Sequence, residues 1–365
     1  MNVISIIMAA FAVLAASDRI FGSRLGLGKE FDRGFNLLGA MALTMGGMLV
    51  IAPYLGELMK PFSLWFYQLT KIDPSVIPAS LFANDMGGEP LASQLAVDAA
   101  LGKFNGLIVS SMMGVIISFN IPYALGVVKK ERHRELFLGI LCGIATVPVG
   151  CFVSGLMLGL SPLLVLFDLL PIIIFAILVS VGLALVPDLC VKIFKILGVA
   201  INVLITIGLG LGILKFLTGV EIVKGLAPIE GDPLMICCSA AIVMSGAFPL
   251  VYVVSKLLNK PLEKLGGLLG INSTAAVGFM ASLATNTTTF EMMNRMDKKG
   301  AMLNAAFAMA GAFTFAAHLA YTMAVDPSYL LPMIVGKLIA GACSVAVAAI
   351  IYKRTEKKGT EENEC

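Results

Sequence analysis

Two short polar segments interrupt an otherwise apolar chain, and they hold side chains suited to binding a small polar molecule. The first is Ser80–Pro90 (SLFANDMGGEP), and the second is Ala284–Glu291 (ATNTTTFE). Gly87, Gly88 and Pro90 break helices in the first segment. Inside a membrane, broken helices are tolerated only where they are buried in protein or line water, and their free backbone groups bind substrates. The segments therefore predict a binding site, although two loops at the bilayer surface with solvated carboxylates would give the same pattern.

Residues for common enzyme chemistry are scarce. The chain has two histidines, His133 and His318, and it lacks a nucleophile elbow, a phosphate-binding loop and a His-Glu-x-x-His pattern. Its seven cysteines include no Cys-x-x-Cys pair, which argues against a disulfide framework or a zinc site. His318 lies in a long apolar run, where it either faces a site or donates to a neighbouring carbonyl. We expect a protein without a cofactor or metal, and not an enzyme.

The composition indicates a membrane protein. Charged residues make up 13% of the 365 residues, 58% are hydrophobic, and the mean hydropathy is +0.94. A soluble domain carries about 25% charged residues. A chain of this length cannot enclose so many apolar side chains, so the surplus must face lipid. The net charge of +3 comes from short clusters between apolar runs, which is not the pattern of nucleic-acid binding.

Uncharged runs suited to crossing a bilayer recur along the chain. A transmembrane helix needs about 20 apolar residues, and these runs are rich in Leu, Ala, Met and Gly instead of alternating in polarity. We predict an all-α polytopic membrane protein with about ten transmembrane helices. The runs are 1–17, 34–56, 104–128, 136–167, 169–187, 196–214, 233–255, 265–290, 300–325 and 338–352.

Basic clusters orient these helices. The densest ones beside apolar runs are residues 129–134 and the tail residues 353–358. Clustered Lys and Arg stay on the cytoplasmic side, so both are predicted to be cytoplasmic. The run 104–128 then crosses inward and residues 301–324 cross outward.

Short motifs recur in the same order in the two halves of the chain. The matches are 29–39 with 260–270, 79–84 with 281–286, Asn105 with Asn304, and Tyr123 with Tyr321. Their order and the opposite directions predict inverted repeats with broken or re-entrant helices. The predicted single transport domain is 1–352, comprising a first repeat at 1–160, central helices and a loop at 161–232, and a second repeat at 233–352, followed by a short charged cytoplasmic tail at 353–365. Four basic residues in the loop 18–33 would then lie outside, which the charge rule disfavours.

Specific motifs are spread over nearly the whole chain. They are Asp18-Arg-Ile20, Asp85-Met-Gly-Gly88, Ser111-Met-Met-Gly114, Ile121-Pro122 before Ala124-Leu-Gly126, Lys260-Pro-Leu262, Met296-Asp297 before Gly300, His318-Leu319, and Pro332-Met-Ile-Val-Gly-Lys-Leu338. Through these motifs the sequence resembles the EutH family, the ethanolamine-utilisation membrane proteins of bacterial ethanolamine operons. The family pattern includes Asp85 and His318, whereas the positions of Glu89 and Glu291 need not be acidic.

The resemblance implies import of ethanolamine, mostly as ethanolammonium, across the bacterial cytoplasmic (inner) membrane for ethanolamine catabolism. A primary ammonium cannot cross hydrocarbon unaided, and its site needs a carboxylate or inward-pointing carbonyls, with an amide or hydroxyl for the alcohol end. Asp85 is the predicted ammonium partner. The full set of predicted substrate-binding residues is Asp85, Asn84, Asn286, Thr287, Thr288, Glu89, Glu291 and His318.

Two other kinds of function fit the same pattern. A carrier of another small amine or metabolite would keep the repeats and change the pocket. A membrane sensor or scaffold that transports nothing would need no pocket, and the short tail offers no signalling domain for it. The expected partners are ethanolamine and the lipid bilayer, with no nucleic acid, and a homo-oligomer and the coupling ion stay open.

Overall fold

Every regular element in the described part of the chain is helical. The computed structural model describes residues 3–361. The helices are α1 (Val3–Ile20), α2 (Leu27–Met41), α3 (Gly47–Thr70), α4 (Val76–Leu81), α5 (Gly88–Leu95), α6 (Ala99–Phe104), α7 (Ile121–Val127), α8 (His133–Met157), α9 (Pro162–Asp168), α10 (Leu170–Leu185), α11 (Pro187–Thr218), α12 (Asp232–Leu269), α13 (Ser273–Ala284), α14 (Asn286–Met292), α15 (Lys298–Gly311), α16 (Ala317–Val325) and α17 (Leu330–Glu361). The predicted all-α fold is confirmed over this range. Helix α17 runs into the predicted tail, of which residues 362–365 lie outside the described residues.

Six helical stretches of the described chain are long and apolar enough to cross a bilayer. They are Leu27–Thr70, Ala99–Val127, Lys130–Met157, Pro187–Thr218, Asp232–Leu257 and Pro327–Arg354. A seventh span exists if α9 and α10, bent by 41°, cross together. The expected count of about ten is not confirmed, because an uncharged run can contain a helix break. The run 265–290 includes the end of α13 and the run 300–325 the end of α15, and both helices fall short of the length of about 20 residues that a span needs.

Helices α4 and α5 form a hairpin, residues 73–98, whose two ends lie together. Asp73 Oδ2 accepts the backbone N–H groups of Val97 and Asp98 at 3.0 and 2.8 Å. The chain reverses through a short turn at Asn84–Met86, and Gly87 completes it with a φ of +107°, a conformation that glycine adopts without steric cost. The two ends of this first hairpin therefore lie on the same side of its turn.

Helices α13 and α14 form a second hairpin, residues 272–297, of the same kind. Asn272 donates its backbone N–H to Asp297 Oδ1 at 2.8 Å and its side-chain amide to the Arg295 carbonyl at 3.1 Å. The extended backbone of Thr285 separates the two helices. Both polar segments predicted from the sequence therefore lie where a hairpin reverses.

The first hairpin packs against a π-helical stretch between α6 and α7. The Ser118 hydroxyl accepts the backbone N–H of Ala83 at 3.1 Å. A Cβ at Gly114 would overlap the carbonyl oxygen of Phe82, so this glycine allows the hairpin to approach the helix closely. The stretch itself is fully buried from Asn105 to Gly114.

The second hairpin packs against an unwound segment between α15 and α16. The backbone N–H of Phe313 donates to the Ser282 carbonyl at 3.0 Å. Asn286 at the hairpin turn and Asn120 before α7 both donate side-chain amides to the Ala308 carbonyl, at 2.9 and 3.2 Å. We call each hairpin together with the helices that follow it a hairpin unit, residues 73–127 for the first and 272–325 for the second. These buried bonds join the two hairpin units.

The main hydrophobic core lies between the two hairpin units and helices α8 and α17. Phe104, Met112, Phe290 and Tyr321 are among its large, fully buried side chains. The core holds the hairpin turns in fixed positions, because close-packed interiors leave little space for side chains to shift.

Candidate functional site

A cavity of about 500 Å³ lies beside the turn of the first hairpin. Thr44, Lys195 and Asn202 at its edge are exposed, so the cavity is open on that side. Its lining residues are Thr44, Ala83, Asp85, Met86, Val115, Ser118, Phe119, Pro122, Tyr123, Lys195, Gly198, Val199, Asn202, Phe313 and His318.

The fold brings Asp85 and His318 together in this cavity, although they lie far apart in the sequence. Asp85 sits in the turn of the first hairpin and His318 in the first turn of α16. Asp85 Oδ1 lies 3.9 Å from His318 Nε2, and their side chains are 16% and 1% exposed. This distance is too long for a hydrogen bond. In the described chain, Asp85 is the only carboxylate that lines the cavity.

Aromatic rings form one wall of the cavity. Phe119 stacks on Tyr123 with ring centroids 5.5 Å apart, and it forms a T-shaped contact with Phe313 with centroids 5.6 Å apart. Phe313 in turn contacts the His318 ring at 5.3 Å. Because aromatic faces attract cations, a carboxylate beside such a wall suits a small organic cation.

Lys337 lies behind His318 and was not among the predicted site residues. Its side chain in α17 is fully buried, its Nζ lies 2.9 Å from His318 Nδ1, and it donates to the Ser111 carbonyl. The sequence does carry a signal for it, namely a single lysine inside the apolar run of α17. Intramembrane ionisable residues are rare and are functional candidates by default.

The predicted amide and hydroxyl residues lie outside the cavity lining. Asn84 is fully buried in the first hairpin turn, and both polar atoms of its side chain are without a partner among the described residues. Asn286 is occupied with the Ala308 carbonyl. Thr287 bonds the neighbouring Thr285 at 2.8 Å, and Thr288 is exposed.

Each of the two predicted glutamates binds a tyrosine of the other hairpin unit. Tyr321 donates to Glu89 Oε2 at 3.0 Å, and Tyr123 donates to Glu291 Oε1 at 3.0 Å. Glu89 and Tyr321 are buried, whereas Glu291 is exposed and Tyr123 lines the cavity. Tyr123 and Tyr321 occupy matching positions in the predicted sequence repeat. Glu89 and Glu291 also correspond, because each lies at the same distance along the chain after the matched Asn84 or Asn286.

The two Tyr–Glu pairs lie near opposite ends of the hairpin units. Glu89 and Tyr321 belong to α5 and α16, and the segments that follow these helices carry the ion pair between Lys103 and Asp326. Burial raises the pKa of Asp326, but hydrogen bonds from Lys103 and Ser328 outweigh burial and hold that pKa below its usual value.

The other pair, Tyr123 with Glu291, lies near the basic cluster 129–134. Lys129 donates its backbone N–H to Asn294 Oδ1 at 2.9 Å, and Arg132 donates to the Met296 carbonyl at 2.7 Å. The second hairpin is thus anchored beside this cluster, at the end of α7.

Comparison with known proteins decides the family. Residues 1–351 match the family described as "Ethanolamine utilisation protein, EutH". The chain belongs to the EutH family. The resemblance predicted from its motifs is therefore confirmed over nearly the whole sequence.

Relatives from several bacteria are similar to this chain. A relative from Listeria monocytogenes named "Probable ethanolamine permease EutH" is 42% identical, covering 98% of this chain and 95% of its own. A relative of the same name from Salmonella typhimurium is 37% identical, covering 97% and 96%. A Bacillus subtilis relative named "Uncharacterized protein YxeR" is 34% identical, covering 94% and 92%. No solved structure matches significantly.

Proposed function

We propose that this EutH family member carries ethanolamine, as ethanolammonium, across the bacterial inner membrane by alternating access. Relatives named ethanolamine permeases, at 37% and 42% identity over almost the full length, support this function. They also agree with a carrier instead of an enzyme. With six long apolar helical stretches in the described residues, the chain is a multi-pass inner-membrane protein.

Asp85 in the cavity is the observation that carries the proposal. A primary ammonium needs a negative partner once it leaves water. Asp85 supplies the carboxylate, and the neighbouring aromatic wall offers ring faces that also attract cations. Lys195, a basic residue on the cavity lining, is exposed at its edge.

The alcohol end of ethanolamine needs a hydrogen-bonding partner as well. Asn84 is a candidate, because it precedes Asp85 in the hairpin turn and both polar atoms of its buried side chain are without a hydrogen-bond partner among the described residues. Ser118 and Tyr123 place hydroxyl groups in the cavity itself. Asn286, Thr287 and Thr288 would reach the substrate only in another conformation of the second hairpin.

Two similar hairpins support the inverted repeats and alternating access. Each hairpin closes its ends with an Asp or Asn side chain, has a polar turn and packs against an irregular helix. Lys103, near the start of the helical stretch Ala99–Val127, pairs with Asp326 directly after α16. Asn294, shortly before α15, donates to the carbonyl of Val127 at the end of α7. The two units are therefore antiparallel, as inversion requires.

The two Tyr–Glu pairs are the proposed gates. With residues 129–134 in the cytoplasm, the pair Tyr123–Glu291 lies on the inner side of the cavity and the pair Tyr321–Glu89 on the outer side. The outer pair is buried and the inner pair is partly exposed, which supports a carrier whose cavity faces inward. In the outward-open state the burial of the two pairs would exchange.

Uptake by purified protein tests the function. Proteoliposomes should take up labelled ethanolamine in a saturable manner, above the leak into protein-free vesicles, and unlabelled ethanolamine should compete. An assay near pH 6 keeps the leaking neutral amine scarce. The Asp85→Asn variant is the matched control, because it keeps the side-chain shape and removes the charge. Uptake equal to the leak would contradict the proposal.

Choline or another small amine is a second candidate substrate, favoured by the aromatic wall. Aromatic faces bind quaternary ammonium groups, and the cavity of about 500 Å³ exceeds the volume of ethanolamine. Competition between ethanolamine and choline for one site separates the candidates. A lower Kd for choline would favour this second substrate.

A further inference from the structure

Among the described residues, no carboxylate lies in direct contact with the buried ammonium of Lys337. In the described chain, no acidic oxygen lies within the 4.0 Å limit of an ion pair with its Nζ. Its contacts are the Ser111 carbonyl and the His318 ring. Isolated buried charges are unfavourable, so the nearest carboxylate, Asp85 beyond the ring, must act as its counterion.

The three side chains form a row from the core to the cavity. A lysine ammonium only donates hydrogen bonds, so His318 Nδ1 accepts from Lys337 at 2.9 Å. The neutral ring then carries its proton on Nε2, which lies 3.9 Å from Asp85 Oδ1. The ring is therefore oriented to pass a proton between Lys337 and the cavity.

Substrate binding disturbs the charge balance of this row. In the empty cavity one ammonium and one carboxylate offset each other. Ethanolammonium at Asp85 adds a second positive charge for the same carboxylate, in a site partly shielded from water. We propose, on the basis of the proposed transport of ethanolamine, that Lys337 releases one proton for each ethanolammonium bound at Asp85, so that the carrier exchanges a substrate cation for a proton.

The proton passes through the His318 ring. A Lys337 N–H bond breaks and leaves its electron pair on Nζ, while the proton binds His318 Nδ1. The N–H bond at Nε2 breaks in turn, and that proton goes to a cavity water and then to a buffer base. After substrate release a proton enters at Nε2 and the Nδ1 proton returns to Lys337, which restores the original tautomer.

Few other titratable groups face Lys337. They are His318 on α16, Asp85 in the first hairpin turn and Cys151 on α8. Ser111 contributes a backbone carbonyl only. A structural alternative is that Lys337 stays protonated and simply joins α17 to the π-helical stretch, in which case substrate binding would release no proton.

Calorimetry on the full-length protein measures the released proton. Titration with ethanolamine in buffers of different ionisation enthalpy should give about one proton released per ethanolamine. Because proton release and substrate binding are reciprocally linked, the Kd for ethanolamine should fall about tenfold for each unit by which the pH rises from 6 to 8. In Lys337→Met, binding should release no proton and Kd should be independent of pH. Lys192→Met, which changes an exposed lysine outside the cavity lining, should behave as wild type.

Three results would overturn the proposed exchange of a Lys337 proton for ethanolammonium or the function on which it rests. Ethanolamine binding without proton release in wild type overturns the exchange while leaving transport intact. Proton release that persists in Lys337→Met overturns it too, because the proton then comes from the substrate or another group. Absence of ethanolamine binding to wild type contradicts the proposed function itself. If Lys337→Met fails to insert, Lys337→Arg, whose side chain stays protonated, should bind more weakly and release no proton.

A membrane potential gives a second measurement in vesicles. Exchange of one cation for one proton moves no net charge, so an imposed potential should not change wild-type uptake. Lys337→Met should move a net charge and accumulate ethanolamine up to about 50-fold at an inside-negative potential of about 100 mV. Wild-type uptake that responds to potential in the same way as Lys337→Met would contradict the exchange.

Discussion

Replacing Asp85 by Asn tests the most specific part of the site. The change removes one negative charge and keeps the side-chain shape, so any loss of affinity reports the ammonium contact. Asp85 is the only cavity-lining carboxylate of the described residues, and 16% of its side chain is exposed. Removing one member of a desolvated charge pair costs about 2 to 5 kcal/mol. Because this cavity is open on one side, we take the lower end.

A loss of about 2 kcal/mol corresponds to a Kd that rises about 30-fold. Equilibrium binding of labelled ethanolamine to purified protein in detergent measures this change. Glu291→Gln is the matched control. Its carboxylate is exposed, accepts from Tyr123 and does not line the cavity, so Kd should change less than threefold, or about 0.7 kcal/mol.

Helix capping is the competing explanation for Asp85. A capping carboxylate accepts backbone N–H groups, and Asn would largely replace it. In the structure, the N-cap of α5 is Gly87, and no side-chain hydrogen bond caps this helix. An Asp85→Asn protein that inserts normally and binds ethanolamine within about threefold of wild type, a difference under 0.7 kcal/mol, would show that Asp85 is not the ammonium partner.

Three further predictions concern orientation, gating and the stability of the fold. A cysteine at Glu131 should resist impermeant thiol reagents in intact cells, because clustered basic residues stay in the cytoplasm; ready labelling would reverse the orientation. Tyr321→Phe removes a buried hydrogen bond to a carboxylate worth about 1.5 to 3 kcal/mol, so the rate of amide hydrogen exchange in α5 should rise at least tenfold. The matched Tyr123→Phe variant changes a partly exposed side chain and should leave exchange in α5 unchanged. Equal effects of the two variants on α5 would refute the proposal that the two gates differ. Because the pKa of Asp326 is lowered in the folded protein, its ion pair with Lys103 stabilises the fold above the unfolded pKa of about 3.9 and is lost only as the pH falls through the lower folded value. Asp326→Asn should therefore cost under about 1 kcal/mol of unfolding free energy at every pH from 5 to 8, and a pH-dependent cost in that range would contradict this.

The sequence alone determined the membrane class and the segments that form the site. Lipid requires apolar side chains along every span, so low charge and long apolar runs already identify a polytopic helical protein. Polar residues that interrupt such runs cost free energy in a membrane, so they usually mark functional sites. This reasoning located Asp85 and His318, which the fold brings into one cavity.

Only the tertiary structure decided which apolar runs are broken by hairpin turns and which groups meet. A count of charged residues along the sequence does not distinguish a hairpin from a transmembrane helix, because each half of the hairpin is as apolar as such a helix. Glu89 and Glu291 bind tyrosines from a distant part of the chain, and a single sequence carries no signal for such partners. Lys337 was visible as a lysine within an apolar run, but its contact with His318 arises from the packing of α17 against α16. Side-chain identity follows from local chemistry, whereas the partner of a buried charge depends on contacts between elements far apart in sequence.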